Sequence, residues 1–445
     1  MTNREPQIVV IGTGYVGLTT AACLAHLGHD VVGVDVDEAK VWALRRGEVP
    51  IVEAGLVGMV SRGLESGRLR FETSYEHAAG DVVLLCLPTP TTAAGDLDLS
   101  YIESAARQLR DVLEPGAIVV TKSTVPVGTH RDLLRWLDRP DLAVASNPEF
   151  LREGTAVHDF CHPDRVVIGA ADVGVAERVA GLYRSLSAPI LITDLASAEL
   201  VKVAANTFLA AKLSFVNEMS RVCEATGGDI DEVIAGIASD HRIGTAFMRP
   251  GPGWGGSCFP KDTRGMAALG RQHGLELPMV TATIASNDAH MDHIDLSIRT
   301  SLGRPLADAT VAVWGATFKA GTDDCRDSPA LAIVRRLAAA GARIRLFDPV
   351  ARPSVAGVEH CGDAYDACDN ADLLVIATEW PEFGEADMNK VARLLAAPTV
   401  FDTRGILDPA AVAAAGLILH RPGHGASWAG VSNRDAVGTG SGGPR

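Results

Sequence analysis

Apolar and polar positions fall into two blocks of short buried strands separated by a long helical stretch. In the first block Gln7 to Ile11 reads as a buried strand and a glycine turn follows it. Leu18 to Leu27 then recurs with helical spacing and stops at Gly28, and Val31 to Val34 makes the next strand, ending at Asp35. Val82 to Leu87, Ile118 to Thr121, Leu142 to Ser146 and Val166 to Gly169 continue at the spacing of an α/β sheet. Ala198 to Thr226 is predicted as one helix, because Leu200, Val203, Thr207, Ala210, Leu213 and Val216 recur at helical spacing and Gly227-Gly228 closes it. Such a length suits a bridge between two domains and a dimer surface. Short helices are expected from there to roughly Leu302, and Arg304-Pro305 reads as a linker.

The second block repeats the pattern. Thr310 to Gly315 is a strand, Ser328 to Ala340 a helix, Arg343 to Phe347 a strand ending at Asp348, and Leu373 to Ala377 and Val400 to Asp402 add two more. From about Arg421 the chain turns Gly/Ser-rich without a core pattern, and Val431 to Arg445 reads as a disordered tail.

Bulk properties narrow the partners. The chain has 445 residues, room for two or three domains, with 47% apolar and 21% charged residues, as in soluble globular proteins. A net charge of −15 argues against nucleic acid, which needs a basic face. An anionic small molecule would need locally placed Lys and Arg. The eight cysteines form no CxxC pair, so neither a zinc site nor a disulfide framework is indicated, and a reducing cytoplasm is expected. The first apolar run stops at Gly12, too short for a signal peptide, and no run reaches the ~18 residues that span a bilayer, so no membrane association is expected.

The first glycine turn carries chemistry. Gly12-Thr13-Gly14-Tyr15-Val16-Gly17 is a GxGxxG sequence between a strand and a helix, with Asp35 ending the next strand. That setting predicts a pyrophosphate on the helix N-terminus and a ribose on Asp35. No Arg follows Asp35, so NAD is expected over NADP. The loops after later strands bring Thr89, Thr124, Glu149 and Glu153 to the edge where open α/β sheets bind ligands; each could instead be a cap or turn residue. In the second block the first loop lacks the glycine pattern, but Lys319, Arg326 and Arg404 stand at strand ends and suit a diphosphate. The expected fold is therefore α/β: two Rossmann-like doubly wound domains (1–195 and 304–430) joined by the long helix and a helical linker domain (196–303).

Between them lies Gly251-Pro252-Gly253-Trp254-Gly255-Gly256-Ser257-Cys258-Phe259-Pro260-Lys261-Asp262. The glycines allow close backbone approach, and Pro260 marks a helix start that places Cys258 at its N-terminus, where a thiolate is favoured. A buried structural cysteine is the alternative, but the glycine density and the Lys261/Asp262 pair favour covalent chemistry on a carbonyl. Lys202 and Asn206, four apart on one helix face, sit in an otherwise apolar stretch.

Taken together, the glycine turn, Ser123 to Thr129, Asn147 to Gly154, Glu199 to Asn206, the cysteine loop and Phe318-Lys319 through Arg326 resemble the UDP-glucose/GDP-mannose dehydrogenase family, nearly to residue 420. The resemblance implies a four-electron oxidation of a nucleotide-sugar C6 alcohol to a carboxylate, UDP-glucose to UDP-glucuronate, with two NAD reduced in turn. It implies Cys258 as the nucleophile that passes through a thiohemiacetal and a thioester. Lys202 and Asn206 would hold the oxyanion, and Lys202 would lower the thiol pKa. Asp262 and Thr124 would hold a proton-relaying water, and Glu149 would direct the hydrolytic water. By the same matching, Gly12 to Gly17, Asp35, Lys40, Thr89, Thr124, Glu153, Lys261 and Arg326 hold NAD. Glu149, Leu151, Lys202, Asn206, Arg242, Lys319, Arg404 and the Gly251–Gly255 loop hold the UDP-sugar, with Arg242 reaching across from a neighbouring subunit of a homodimer or larger homo-oligomer. No metal is implied. GDP-mannose or a UDP-N-acetylhexosamine as substrate, or a non-catalytic protein that binds both nucleotides, remain the competing expectations.

Overall fold

The computed structural model describes residues 7–92 and 95–424. The first sheet holds β1 (Gln7–Ile11), β2 (Asp30–Val34), β3 (Leu69–Glu72), β4 (Val82–Leu85), β5 (Ile118–Thr121), β6 (Ala143–Ser146), β7 (Val166–Ala170) and β8 (Ile190–Thr193). Its order is β3-β2-β1-β4-β5-β6-β7-β8, parallel throughout except where β6 meets β7. The second sheet holds β9 (Thr310–Trp314), β10 (Arg343–Phe347), β11 (Val358–His360), β12 (Leu373–Ile376), β13 (Thr399–Asp402) and β14 (Ile418–His420), in the order β11-β10-β9-β12-β13-β14 and wholly parallel. Helices cover both faces of each, so the central strands are continuously apolar and buried. In each sheet the strand order reverses beside its first strand, at β1/β4 and β9/β12, which opens a crevice beyond the strand ends.

Three expectations need correction. The bridge helix runs Leu195–Thr226, starting before Ala198, because the Asp194 side chain accepts from the Ser197 amide (2.9 Å) and caps it there. The stretch up to Leu302 is not only short helices: Pro278–Leu302 is one 25-residue helix lying along the bridge helix. Its contacts are largely polar, such as Ser214 Oγ to the Thr283 carbonyl (2.9 Å) and His293 to Glu224 (2.7 Å), so no broad apolar stripe marks it. The chain also keeps its packing past Arg421. The Gly423 amide donates to Glu224 (2.7 Å) and Arg421 pairs with Asp231 (3.0 Å), tying the end of the second sheet domain to the helical region. The predicted tail, 431–445, lies outside the described residues. Among the described residues no helix is long and apolar enough to cross a membrane.

Candidate active site

The glycine turn after β1 has the shape its sequence requires. A Cβ on Gly17 would lie 1.9 Å from the Gly12 carbonyl oxygen, so only glycine lets helix Tyr15–His26 start against the turn. A Cβ on Gly14 would meet nothing within 4 Å; the space over the helix N-terminus is open, as a pyrophosphate needs. Asp35 ends β2 beside it. One of its oxygens accepts from the Thr13 amide and hydroxyl (both 2.8 Å) and from Lys40 (2.9 Å). Burial works to raise the Asp35 carboxyl, but Lys40 and the Thr13 donors outweigh it and hold it below the usual range. The Tyr15 hydroxyl donates to Glu53 and accepts from the Gly154 amide (2.8 Å). These residues fit a dinucleotide, with Lys40 and Thr13 poised to share Asp35 with a ribose.

Beyond the other strand ends a cleft of about 870 Å³ lies between the two sheet domains and the bridge helix. Glu149, Leu151, Glu153, Lys202, Asn206, Gly255, Cys258, Lys319 and Arg404 all line it. The glycine loop reaches in because a Cβ on Gly255 would sit 2.0 Å from the Asp327 carbonyl oxygen. Gly251 anchors the loop from behind: its amide donates to Asn217 (3.0 Å) and its carbonyl oxygen meets His290 Nε2 (2.7 Å).

Cys258 is the N-cap of helix Phe259–Gln272, with Pro260 in the first turn, as the sequence predicts. Two buried pairs flank it. Lys202 Nζ lies 2.9 Å from Glu149 Oε1, and Asn206 Nδ2 donates to Asp262 Oδ2 at 2.6 Å. Asp262 is fully buried and also receives Lys261 (2.7 Å), so Lys261 is engaged with its neighbour in this state. Burial acts to raise Glu149, but the charge and hydrogen bond of Lys202, the Leu151 amide and the charge of Lys122 hold it below its ordinary value. Burial acts to lower Lys202, but Glu149, Cys258 and Asp262 more than offset it.

The thiol departs from expectation. Burial pushes Cys258 above the ordinary thiol value; Lys202 pulls it down, as anticipated, but Glu149 and Asp262 add to the burial effect. Burial is the largest effect on the sulfur, and Lys202, the cation that favours the thiolate, is shared with carboxylates.

Glu153 knits the cleft together. Its carboxylate accepts from Ser257 (2.9 Å) and Thr322 (3.2 Å) and lies 3.5 Å from Arg326. Burial and the nearby Asp324 raise its pKa. From the second sheet domain, Arg404 donates to the carbonyls of Ala377 (3.0 Å) and Phe318 (2.9 Å), and burial lowers the Lys319 pKa. Thr89 Oγ1 donates to the Thr124 carbonyl (2.8 Å), outside the cleft wall. Arg242 does not join the site: its side chain is 78% exposed and pairs with Asp240 (2.6 Å).

Residues 6–187 match the NAD binding domain of the UDP-glucose/GDP-mannose dehydrogenase family, 196–289 its central domain and 312–409 its UDP binding domain. The chain belongs to this family. A UDP-glucose 6-dehydrogenase of Rhizobium meliloti is 42% identical over 416 residues, covering 90% of this chain and 95% of the relative. One from Pseudomonas aeruginosa is 40% identical, covering 93% and 96%. The solved UDP-glucose dehydrogenase of Pyrobaculum islandicum superposes with a TM-score of 0.85 at 37% identity, covering 91% of this chain and 95% of that one; a UDP-D-ManNAc dehydrogenase of Pyrococcus horikoshii gives 0.85 at 28%, covering 94% and 99%. The glycine turn with Asp35 is thus part of a family NAD binding domain, and the cofactor is NAD.

Some cleft residues escaped the sequence reading. Arg165 stacks over the Phe150 ring at 3.5 Å, and Lys122 and Tyr183 line the cleft with Asn147, the first residue of the Asn147 to Gly154 stretch. Lys122 adjoins the Ser123-Thr124 loop already singled out, and a cation ending a buried strand was the available signal.

Proposed function

We propose that this chain oxidises UDP-glucose at C6 to the carboxylate, in two NAD-dependent steps with a covalent intermediate on Cys258. The supporting observation is convergence: Lys202 with its partner Glu149, Asn206 and Cys258 all line the cleft between the NAD and UDP binding domains, and Asn206 is hydrogen-bonded to the buried Asp262. UDP-glucose is preferred as substrate because curated relatives near 40% identity carry that activity in their names, whereas the UDP-D-ManNAc enzyme is 28% identical.

NAD, when bound, supplies the hydride acceptor for both oxidations. In the first, Asp262 takes the alcohol proton through a water held with Thr124. The Cys258 sulfur, passing its proton to water, then adds to the aldehyde carbon, and Lys202 and Asn206 donate to the resulting oxyanion. Loss of hydride from that adduct leaves a thioester. Glu149 removes a proton from water as it attacks, the carbon–sulfur bond breaks, and the carboxylate leaves with the sulfur restored. Lys319, Arg404 and the glycine loop hold the UDP-sugar; Glu153, Thr89, Lys261 and Arg326 face the cofactor.

Two NADH should form per UDP-glucose consumed, and fewer with GDP-mannose or UDP-N-acetylhexosamines at equal concentration. One NADH per sugar means the reaction stops at the aldehyde. Binding of both nucleotides with no NADH from any sugar means a non-catalytic protein.

The bridge helix exposes Phe208, Phe215 and Val222 seven residues apart, an apolar stripe that supports a homodimer. Arg242, exposed and outside its own cleft, would then enter the partner's. Phe215→Asp should halve the mass measured by light scattering and lower activity in parallel; an unchanged mass removes this interface.

A further inference from the structure

Lys122 is a buried cation that none of the steps above uses. The register pairs Thr121 of β5 with Ser146 of β6, so Lys122 and Asn147 leave the sheet side by side, and Glu149 follows two residues later. Lys122 is 4% exposed. Its Nζ donates to Asn147 Oδ1 (3.1 Å) and to the Tyr183 hydroxyl (3.4 Å), and Tyr183 in turn donates to Asn147 Oδ1 (2.5 Å). Asn147 is pinned from its other side by the Val167 carbonyl (2.8 Å). The ammonium also lies 6.0 Å and 5.6 Å from the ring centroids of Phe160 and Tyr183. Among the described residues these partners are neutral, and no carboxylate pairs with it. A buried charge satisfied only by dipoles is costly to keep. Its position next to Glu149 on the cleft wall gives it a use.

Lys202 has two demands on one ammonium. At rest it pairs with Glu149; in the reaction it is needed at the oxyanion. Each time it turns to the oxyanion, burial acts on Glu149 unopposed by its nearest cation, at the stage when Glu149 must be ready to accept a proton. We infer that Lys122 is a positioning residue for the hydrolytic half of the reaction: clamped by Asn147 and Tyr183, it is the fixed charge that keeps Glu149 anionic while Lys202 serves the oxyanion. The charges that face Glu149 are Lys202 from the bridge helix and Lys122 from the end of β5; the Cys258 and Cys86 thiols also neighbour it, and Cys86 and Tyr183 feel Lys122 as well. The Lys122 effect at Glu149 is the weaker of the two cations at rest, as this division of labour requires.

The inference rests on Glu149 acting as the base and Cys258 as the nucleophile, and the experiment separates the two. A base works only when ionised, so turnover falls as pH drops through its pKa; removing a nearby positive charge raises that pKa. Lys122→Met should therefore move the acid limb of kcat up by about one pH unit and slow kcat roughly tenfold at the acid end of that limb, with little change at neutral pH and KM for UDP-glucose nearly unchanged. Rapid mixing should show a burst of two NADH per site, and intact mass should show UDP-glucuronyl enzyme accumulating. Tyr183→Phe, which loosens the clamp but keeps the charge, should shift the limb less, in the same direction. A folded Lys122→Met with the native limb and no adduct overturns the inference. If Lys122→Met does not fold, Tyr183→Phe decides, a native limb again overturning it. Glu149→Gln is the reference: if it turns over normally, the base assignment itself falls; if it accumulates adduct while Lys122→Met behaves as wild type, only the role of Lys122 falls.

Discussion

Cys258→Ala should abolish carboxylate formation, with steady-state NADH production from UDP-glucose falling on the order of 10³-fold or more, the scale on which loss of a nucleophile acts. The reason is the second oxidation. An aldehyde carbon can lose hydride only after something has added to it, and in the proposed scheme that nucleophile is Cys258, which lines the cleft with Lys202 and Asn206. Any residual activity should stop at one NADH per sugar. Cys258→Ser is the sharper variant: its hydroxyl can still add, but the ester formed resists hydrolysis more than a thioester, so a burst of two NADH should precede a stall, with the sugar held on the protein by mass. Full turnover by Cys258→Ala removes the covalent scheme. The resting state of the sulfur adds a second check. Because burial and two carboxylates push its pKa up, alkylation of the free enzyme by iodoacetamide should be slow at neutral pH and accelerate as pH rises through the alkaline range. A fast, pH-independent reaction near neutrality would show a standing thiolate instead.

How far the sequence carries this picture depends on what each position is asked to do. Every strand it reveals is an interior one, and all of them but the alternating β10 are buried on both faces and written as largely apolar runs. The four it conceals, β3, β8, β11 and β14, are the four sheet edges. Their residues are partly exposed, so Leu69–Glu72 alternates and Ile418–His420 is too short to stand out. The site follows the same logic. The glycine turn and the cysteine loop are legible because close backbone approach admits only glycine, and Gly17 and Gly255 leave no room for a Cβ. Lys202 and Asn206 stand out as polar residues four apart in an apolar helix. Pairings are a different matter. That Glu149 holds Lys202, that Glu153 joins Ser257 to Thr322, and that Lys122 is held by Asn147 and Tyr183 all depend on separate elements meeting in space. The thiol shows the consequence: a lysine nearby implies a lowered pKa only until the carboxylates that share that lysine are counted.

Lys202→Met should separate stability from catalysis by pH. Lys202 is 3% exposed and Glu149 7%, so removing the lysine strands a buried carboxylate, a change that costs about 3–5 kcal/mol in comparable pairs. In the native protein the folded Glu149 value is depressed, so its contribution to stability is complete above the unfolded carboxylate pKa of about 4.3 and is lost as pH falls through the folded value. In the variant burial acts with only the Leu151 amide and Lys122 opposing it, and the folded value rises. The penalty then grows as pH climbs from the unfolded value to the new folded one, and is largest above it. Both effects have the same sign for the comparison: the gap in melting temperature between native and variant should be widest at neutral pH and narrow as pH falls toward 4. Activity should drop by roughly 10²–10³-fold at every pH where the variant is folded, the scale for losing an oxyanion donor. Adding Glu149→Gln should restore much of the stability, since no unpaired charge remains, and none of the turnover. A gap that does not narrow in acid means the pair is not a buried ion pair in solution. A folded Lys202→Met that still makes two NADH per sugar at the native rate means that the oxyanion is held by something else.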